Sequence, residues 1–263
     1  MVEINRATCT GCGLCAADCI TQNIIISDGT ATAKHDCFLC GHCVAICPRN
    51  AVTISDYPMN EVIEYNKATF ELAPVNFLNA IKFRRSVRDF TPQAIEQTKL
   101  ERILEAGRYT ETAVNYQDVR FTCVHSNLPK AKELIWQGWK NYIASLKESA
   151  PDRAILAQKY YDAYQTEPRQ DRLFFNAPAL MVISANIPLD GGLAAANMEM
   201  MAVAEGLGVL FDGYIVFAIN HNPLAKEWLG IDDKQVVAAM LLGYPQITYQ
   251  RTAPRRPADI IWR

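Results

Sequence analysis

Apolar positions along this 263-residue chain change their rhythm twice. Near the N-terminus they form two brief runs, Ile24-Ile25-Ile26 and Val52-Thr53-Ile54, each preceded by a group of cysteines. Residues 57–76 hold no sustained period and are flanked by Pro58 and Pro74, so they read as a linker. From residue 77 helical and strand patterns alternate. Thr91-Pro92 has the form of a helix start, a capping hydroxyl before a proline at the first helical position. Ile95, Lys99, Leu100, Ile103, Leu104 and Gly107 then give a one-sided stripe ending at a glycine. Residues 119–124 alternate as a strand. Residues 130–164 read as one or two amphipathic helices bearing Trp136, Trp139, Tyr142, Tyr160, Tyr161 and Tyr164, an aromatic stripe suited to packing or subunit contact. Residues 179–184 predict a strand, 190–206 a buried helix, 209–216 a strand and 236–242 another. This irregular alternation favours an α+β domain with a mixed sheet.

Composition adds bounds rather than elements. The chain is 50% hydrophobic and 21% charged with a net charge of −2, as in an ordinary globular protein, and its length predicts two domains. No basic excess points to nucleic acid, and no acidic run to a disordered tail. The start, MVEINRATC, lacks the charged-then-apolar form of a signal peptide. The most apolar stretch, 193–219, is interrupted by Glu199, Glu205 and Asp212 and so reads as core rather than a membrane span. A cytoplasmic protein with neither nucleic acid nor membrane as partner is the expectation.

Eight of the nine cysteines fall into two copies of one spacing. Cys9-x2-Cys12-x2-Cys15-x3-Cys19 is repeated after 28 residues as Cys37-x2-Cys40-x2-Cys43-x3-Cys47, followed by Pro48. This spacing holds a pair of [4Fe-4S] clusters: three thiolates on one tight loop grip three iron corners, and the fourth reaches the other cluster. Cys9, Cys12, Cys15 and Cys47 are thus expected on one cluster, and Cys37, Cys40, Cys43 and Cys19 on the other. Structural zinc sites do not need a third cysteine two residues on, and disulfides would require an oxidising compartment. Ile20 stands where the second copy has Pro48, a change expected to alter the loop and not the ligation. His35 and His42 lie among the ligands and read as solvent-facing neighbours. Cys123, inside a strand pattern, reads as a small buried hydrophobe.

With its two cysteine runs, each followed by a short helix and a strand, the first stretch of the chain resembles a bacterial two-cluster ferredoxin over residues 1–56. Four further stretches, taken in order, resemble the FMN-dependent nitroreductase family over 77–263: Phe83-Arg84-Arg85-Ser86-Val87-Arg88-Asp89-Phe90, Thr110 through Gln117, Leu207-Gly208 through Asp212-Gly213, and Pro254-Arg255-Arg256-Pro257. The resemblances together imply a ferredoxin-like domain at 1–56, a linker at 57–76 and an FMN-binding domain at 77–263. They imply that Arg84, Ser86 and Arg255 hold the FMN phosphate and ribityl chain, with Arg85 beside them and Arg88 at the pyrimidine edge. Thr112, Ala113 and Asn115 would come from a second subunit, with Gln117 supporting that loop, and the backbone at Asp212 and Gly213 would face flavin N5. A homodimer follows from that sharing. The chain departs from the family at Thr110-Glu111-Thr112 and Gln117-Asp118-Val119, which bears on the substrate face more than on the flavin.

Gly206 and Gly208 supply two of three fingerprint glycines, but they join a helix to a strand and do not support a nicotinamide site. The leading function is therefore a flavin oxidoreductase passing electrons from the clusters through FMN to an electron-poor small molecule, nitroaromatic or quinone, with an external one-electron donor such as ferredoxin. No side chain is required as a catalytic acid, although Asp212 and Tyr214 are candidates. The alternative is a non-catalytic relay or redox sensor that hands electrons to a partner protein.

Overall fold

The computed structural model describes residues 1–34, 37–231 and 233–263, so His35 lies outside the described residues. The chain divides into two compact units, Met1–Glu71 with Thr112–Tyr116, and Leu72–Glu111 with Gln117–Arg263.

In the first unit β1 (Val2–Ile4) pairs antiparallel with β4 (Val52–Ile54), Val2 opposite Ile54. β2 (Ile24–Ser27) and β3 (Thr30–Ala33) form a hairpin. Its turn, Asp28-Gly29, takes φ values of 50° and 74°, the primed geometry that matches strand twist. Helices α1 (Leu14–Ala17) and α2 (His42–Ala45) each start from a glycine in the left-handed region, Gly13 and Gly41. Both halves of the repeat thus hold the expected loop, short helix and strand. The aliphatic interior is small. Val2, Val52 and Ile54 pack against Cys37, Cys43 and Cys47, while Ile24 and Ala31 pack against Cys9, Cys15 and Cys19. A short helix, α3 (Lys67–Phe70), is capped by Asn66, whose side chain accepts from the Ala68 N–H.

The second unit contains α4 (Pro74–Phe83), α5 (Gln97–Arg108), β5 (Arg120–Val124), α6 (Leu128–Ser149), α7 (Pro151–Thr166), β6 (Ala179–Ala185), α8 (Pro188–Ala204), β7 (Gly208–Phe211), α9 (Gly213–Asn220), α10 (Pro223–Leu229) and β8 (Gln235–Gly243). The sheet order is β5-β6-β8-β7, with antiparallel pairing throughout. A parallel bridge between Ser86 and Val209 extends it and makes it mixed. All seven residues of β6 are buried. Its period of two sends Leu180 and Val182 to one face, with Ile135, Trp139 and Ile215 from α6 and α9. Met181 and Ile183 go to the other, with Ile103, Met198 and Ala202 from α5 and α8.

Two local expectations are not met, and helices begin within residues 57–76. Thr91-Pro92 does not open a helix: the Thr91 N–H donates to the Tyr244 carbonyl at 2.8 Å, Phe90 bridges Pro245, and α5 starts only at Gln97. The run 209–216 is not one strand. β7 ends at Phe211 because the Asp212 carboxylate accepts from the Tyr214 and Ile215 N–H groups at 2.7 and 3.3 Å, capping α9. Within 57–76, α3 forms and Pro74 opens α4, proline at a helix's first position removing no needed donor.

Candidate functional site

The first unit contains a small hollow lined by Cys9, Cys12, Cys15 and Cys47, together with Gly11, Gly13 and Pro48. Three thiols of the first run and the last of the second therefore share one cavity. Backbone N–H groups point at the sulfurs: Ala31 at Cys9, Asn23 at Cys19 and Ala51 at Cys47, each at 3.3 Å, and Leu39 at Cys37 at 3.4 Å. Asn23 and Ala51 are equivalent under the 28-residue repeat, so the two halves present the same donor to Cys19 and Cys47. Hydrogen bonds from Ala31 and Gly11 pull the Cys9 thiol below its ordinary range. At Cys19 burial pushes upward, but the Thr21 hydroxyl and neighbouring N–H groups bring the net result down. Burial raises Cys15 and pushes Cys43 up to about 11. A bare thiolate is costly at those two positions, and coordination to iron offsets that cost. Among the described residues no three His, Cys, Asp or Glu side chains converge on a single-ion site. Thiols ringing a cavity, with N–H groups aimed at sulfur, suit a cluster.

The second unit has a hollow of about 210 Å³ between the end of α4, α8 and the edge strand β7. Arg84 and Arg85 line it, with Phe83, Val87, Glu199, Tyr249 and Pro245. Arg84 follows the last turn of α4, and its Nη1 lies 2.9 Å from Glu199 Oε1 on α8. Burial raises the Glu199 carboxyl, and Arg84 opposes that shift. Ser86 and Val87 run beside β7, where the Val87 N–H donates to the Val209 carbonyl at 3.0 Å. Glycine at 208 is required by this packing, since a Cβ there would come within 2.6 Å of Val87 Cγ2. Two guanidinium groups on its wall suit a phosphate dianion. FMN fits this site by the chemistry of its donors.

The remaining candidates are more dispersed. Arg88 is exposed, yet its charge partly offsets the effect of burial on Asp212, which holds that carboxyl at about 6. Gly213, the first residue of α9, borders open space. Arg255 is exposed in the C-terminal segment and does not line the hollow. Gln117 is exposed with φ 50°. Thr112, Ala113 and Asn115 belong to the first unit, where Asn115 Nδ2 donates to the carbonyls of Phe38 and Leu39 at 2.9 and 3.1 Å and reaches the Tyr57 hydroxyl at 3.3 Å. Cys123 is a packed side chain whose thiol burial pushes up to about 11, unsuited to a nucleophile.

Glu199 and Tyr249 are the polar residues of the hollow that sequence reasoning did not assign to the site. Glu199 carried a signal, a charge within an apolar stretch. All three acids that interrupt 193–219 have structural partners: Glu199 pairs with Arg84, Glu205 with Arg102, and Asp212 caps α9.

A mixed sheet wrapped by helices, an arginine-lined hollow at its edge and a second unit built on cysteines define an oxidoreductase with flavin and iron–sulfur parts. Residues 81–244 match the Nitroreductase family, so the chain belongs to that family of FMN-dependent oxidoreductases. Residues 8–52 match the 4Fe-4S dicluster domain, and the cofactors of the two matched parts are those the sequence implied, FMN and two [4Fe-4S] clusters. Among solved structures, a nitroreductase with bound FMN from Bacteroides fragilis NCTC 9343 shares 21% identity over 71% of this chain and 98% of its own, with a TM-score of 0.58. One with bound FMN from Desulfitobacterium hafniense DCB-2 shares 20% over 70% and 98%, TM-score 0.56. A BluB-like flavoprotein from Clostridium difficile 630 shares 14% over 70% and 98%, TM-score 0.55. These likenesses establish the fold. No curated protein matches the chain.

Proposed function

We propose that the cysteine unit receives electrons one at a time from an external donor and that they leave, through FMN, to an electron-poor organic acceptor of the nitroaromatic or quinone class. The observation that carries this reading is the presence, in one chain, of a thiol-ringed cavity and an arginine-lined hollow on the nitroreductase fold. FMN, when bound, supplies both one- and two-electron chemistry. The chain's residues bind and orient it. Arg84 and Arg85 offer guanidinium groups to the phosphate, and Glu199 fixes the Arg84 fork. The family resemblance assigns Ser86 and Arg255 to the phosphate and ribityl chain and Arg88 to the ring, although Arg255 does not line the hollow. Of the two candidate proton donors, Asp212 has its carboxyl raised by burial to about 6 and so is protonated only below that pH, whereas burial raises the Tyr214 phenol above its ordinary range. A second copy of the chain completes the flavin site. Among the described residues no helix is long and apolar enough to cross a membrane. The external donor in this reading is a one-electron carrier such as ferredoxin.

The test is anaerobic stopped-flow at the flavin absorbance, with reduced ferredoxin or viologen as donor, followed by turnover against nitroaromatics, quinones and enones. Wild type should reduce rapidly, and Cys12→Ala or Cys40→Ala should keep FMN but reduce far more slowly. Equal rates in all three proteins, or fast reduction of all three by NADPH, would show that electrons do not enter through the cysteine unit.

A further inference from the structure

The 28-residue repeat sets Leu39 in the place that Gly11 holds in the first cysteine run. Both adopt the left-handed conformation, φ 62° at Gly11 and 51° at Leu39. At residue 11 this suits glycine, because a Cβ would collide with the Gly29 carbonyl. At residue 39 a leucine is strained, and neighbouring contacts must hold it. The peptide joining Phe38 to Leu39 shows how. Its N–H donates to Cys37 Sγ at 3.4 Å, and its carbonyl, on the opposite side of the same planar unit, accepts from Asn115 Nδ2 at 2.9 Å. The next carbonyl, that of Leu39, accepts from the same nitrogen at 3.1 Å. Gripping the oxygen of a rigid unit, and that of the unit after it, fixes the direction of its N–H. The segment Thr112–Tyr116 that delivers Asn115 lies in the same compact unit as these cysteines, although Glu111 and Gln117 on either side of it do not. Its own backbone is held in an unusual shape, with φ 45° at Val114 and 57° at Asn115.

We propose that Asn115 is a positioning residue for the second thiol set: through the Phe38–Leu39 peptide it aims a backbone N–H at Cys37 Sγ, stabilising a loop that the first run stabilises with a glycine. The inference rests on the cluster reading above. Hydrogen bonds to cluster sulfurs help set the reduction potential, so a segment from within the nitroreductase sequence tunes one of the two clusters.

The test uses the full chain loaded with iron and FMN, titrated anaerobically against potential and followed by electron paramagnetic resonance. In Asn115→Ala, and in Asn115→Asp, which keeps the shape but loses the donors, one midpoint potential should fall and the other should stay. Should either variant lose iron, adding Leu39→Gly should restore it by removing the strain that Asn115 offsets. Two unchanged potentials together with weaker FMN binding by fluorescence would assign Asn115 to the flavin and overturn the proposal, as would iron loss that Leu39→Gly does not restore. A wild-type chain without about eight irons would instead overturn the cluster reading itself.

Discussion

The two units close their interiors with different materials. In the larger one the central strand β6 is buried along its whole length and feeds two aliphatic cores, one on each face of the sheet. In the smaller one a few aliphatic side chains share the interior with cysteine sulfur. A unit of that size lacks the apolar area for independent stability, and a metal centre commonly supplies the remainder. The larger unit carries its stability in its own side chains, whereas the smaller depends on what its thiols hold.

Stripping iron should break this comparison most sharply. Anaerobic chelation should abolish hydrogen-exchange protection across residues 1–56 and leave β6 and β8 protected, and protection surviving in the cysteine unit would mean that its aliphatic residues suffice. A converse change targets the sheet. Met198→Ala, at a fully buried position beneath β6, should cost about 2–5 kcal/mol in urea unfolding followed by tryptophan fluorescence, with cluster absorbance intact. A cost below about 1 kcal/mol would show that the site collapses around the change.

The next effect depends on pH. Burial lifts the folded pKa of Asp212 from the ordinary 3.8 to about 6, so the folded state binds a proton that the unfolded state has released. The penalty of a buried carboxylate is complete above about 6 and is relieved as pH falls through 6 towards 3.8. Asp212→Asn keeps an oxygen for the Tyr214 and Ile215 N–H groups, so it should be the more stable protein above pH 6 by about 3 kcal/mol, an advantage that vanishes near pH 4. Parallel stability profiles in urea titrations across that range would contradict the assignment. Arg84→Ala should have the smallest effect on this scale, weakening FMN retention by about tenfold to a hundredfold, or 1.5–3 kcal/mol, while the cluster spectrum survives. Full FMN retention after dialysis would place the phosphate elsewhere.

What was legible in the sequence follows the range of the forces. The cysteine spacing, the β6 and β8 strands and the paired helices α6 and α7 are specified by neighbours within a few residues, and they appear where the pattern puts them. Thr91-Pro92 carries a sound local signal, but Tyr244 and Pro245, over 150 residues away, claim its backbone. Residues 209–216 are apolar enough for a strand or a buried helix, and the Asp212 cap decides between them at mid-run. The partnership of Arg84 with Glu199 spans 115 residues, and no local pattern encodes it. Asn115 was identified as important through family likeness, while its bonds to the Phe38–Leu39 loop depend on which unit the 112–116 segment joins.

That membership has a practical consequence for modular engineering. The polypeptide enters the cysteine unit, leaves it after Glu71, and comes back for the five residues Thr112–Tyr116. A joint made at residue 71, to graft this electron-input module onto another flavoprotein, would transfer every cluster cysteine and leave the Asn115 segment behind. The transplant would need a host loop that reproduces residues 112–116, and a recombination event in nature would face the same requirement.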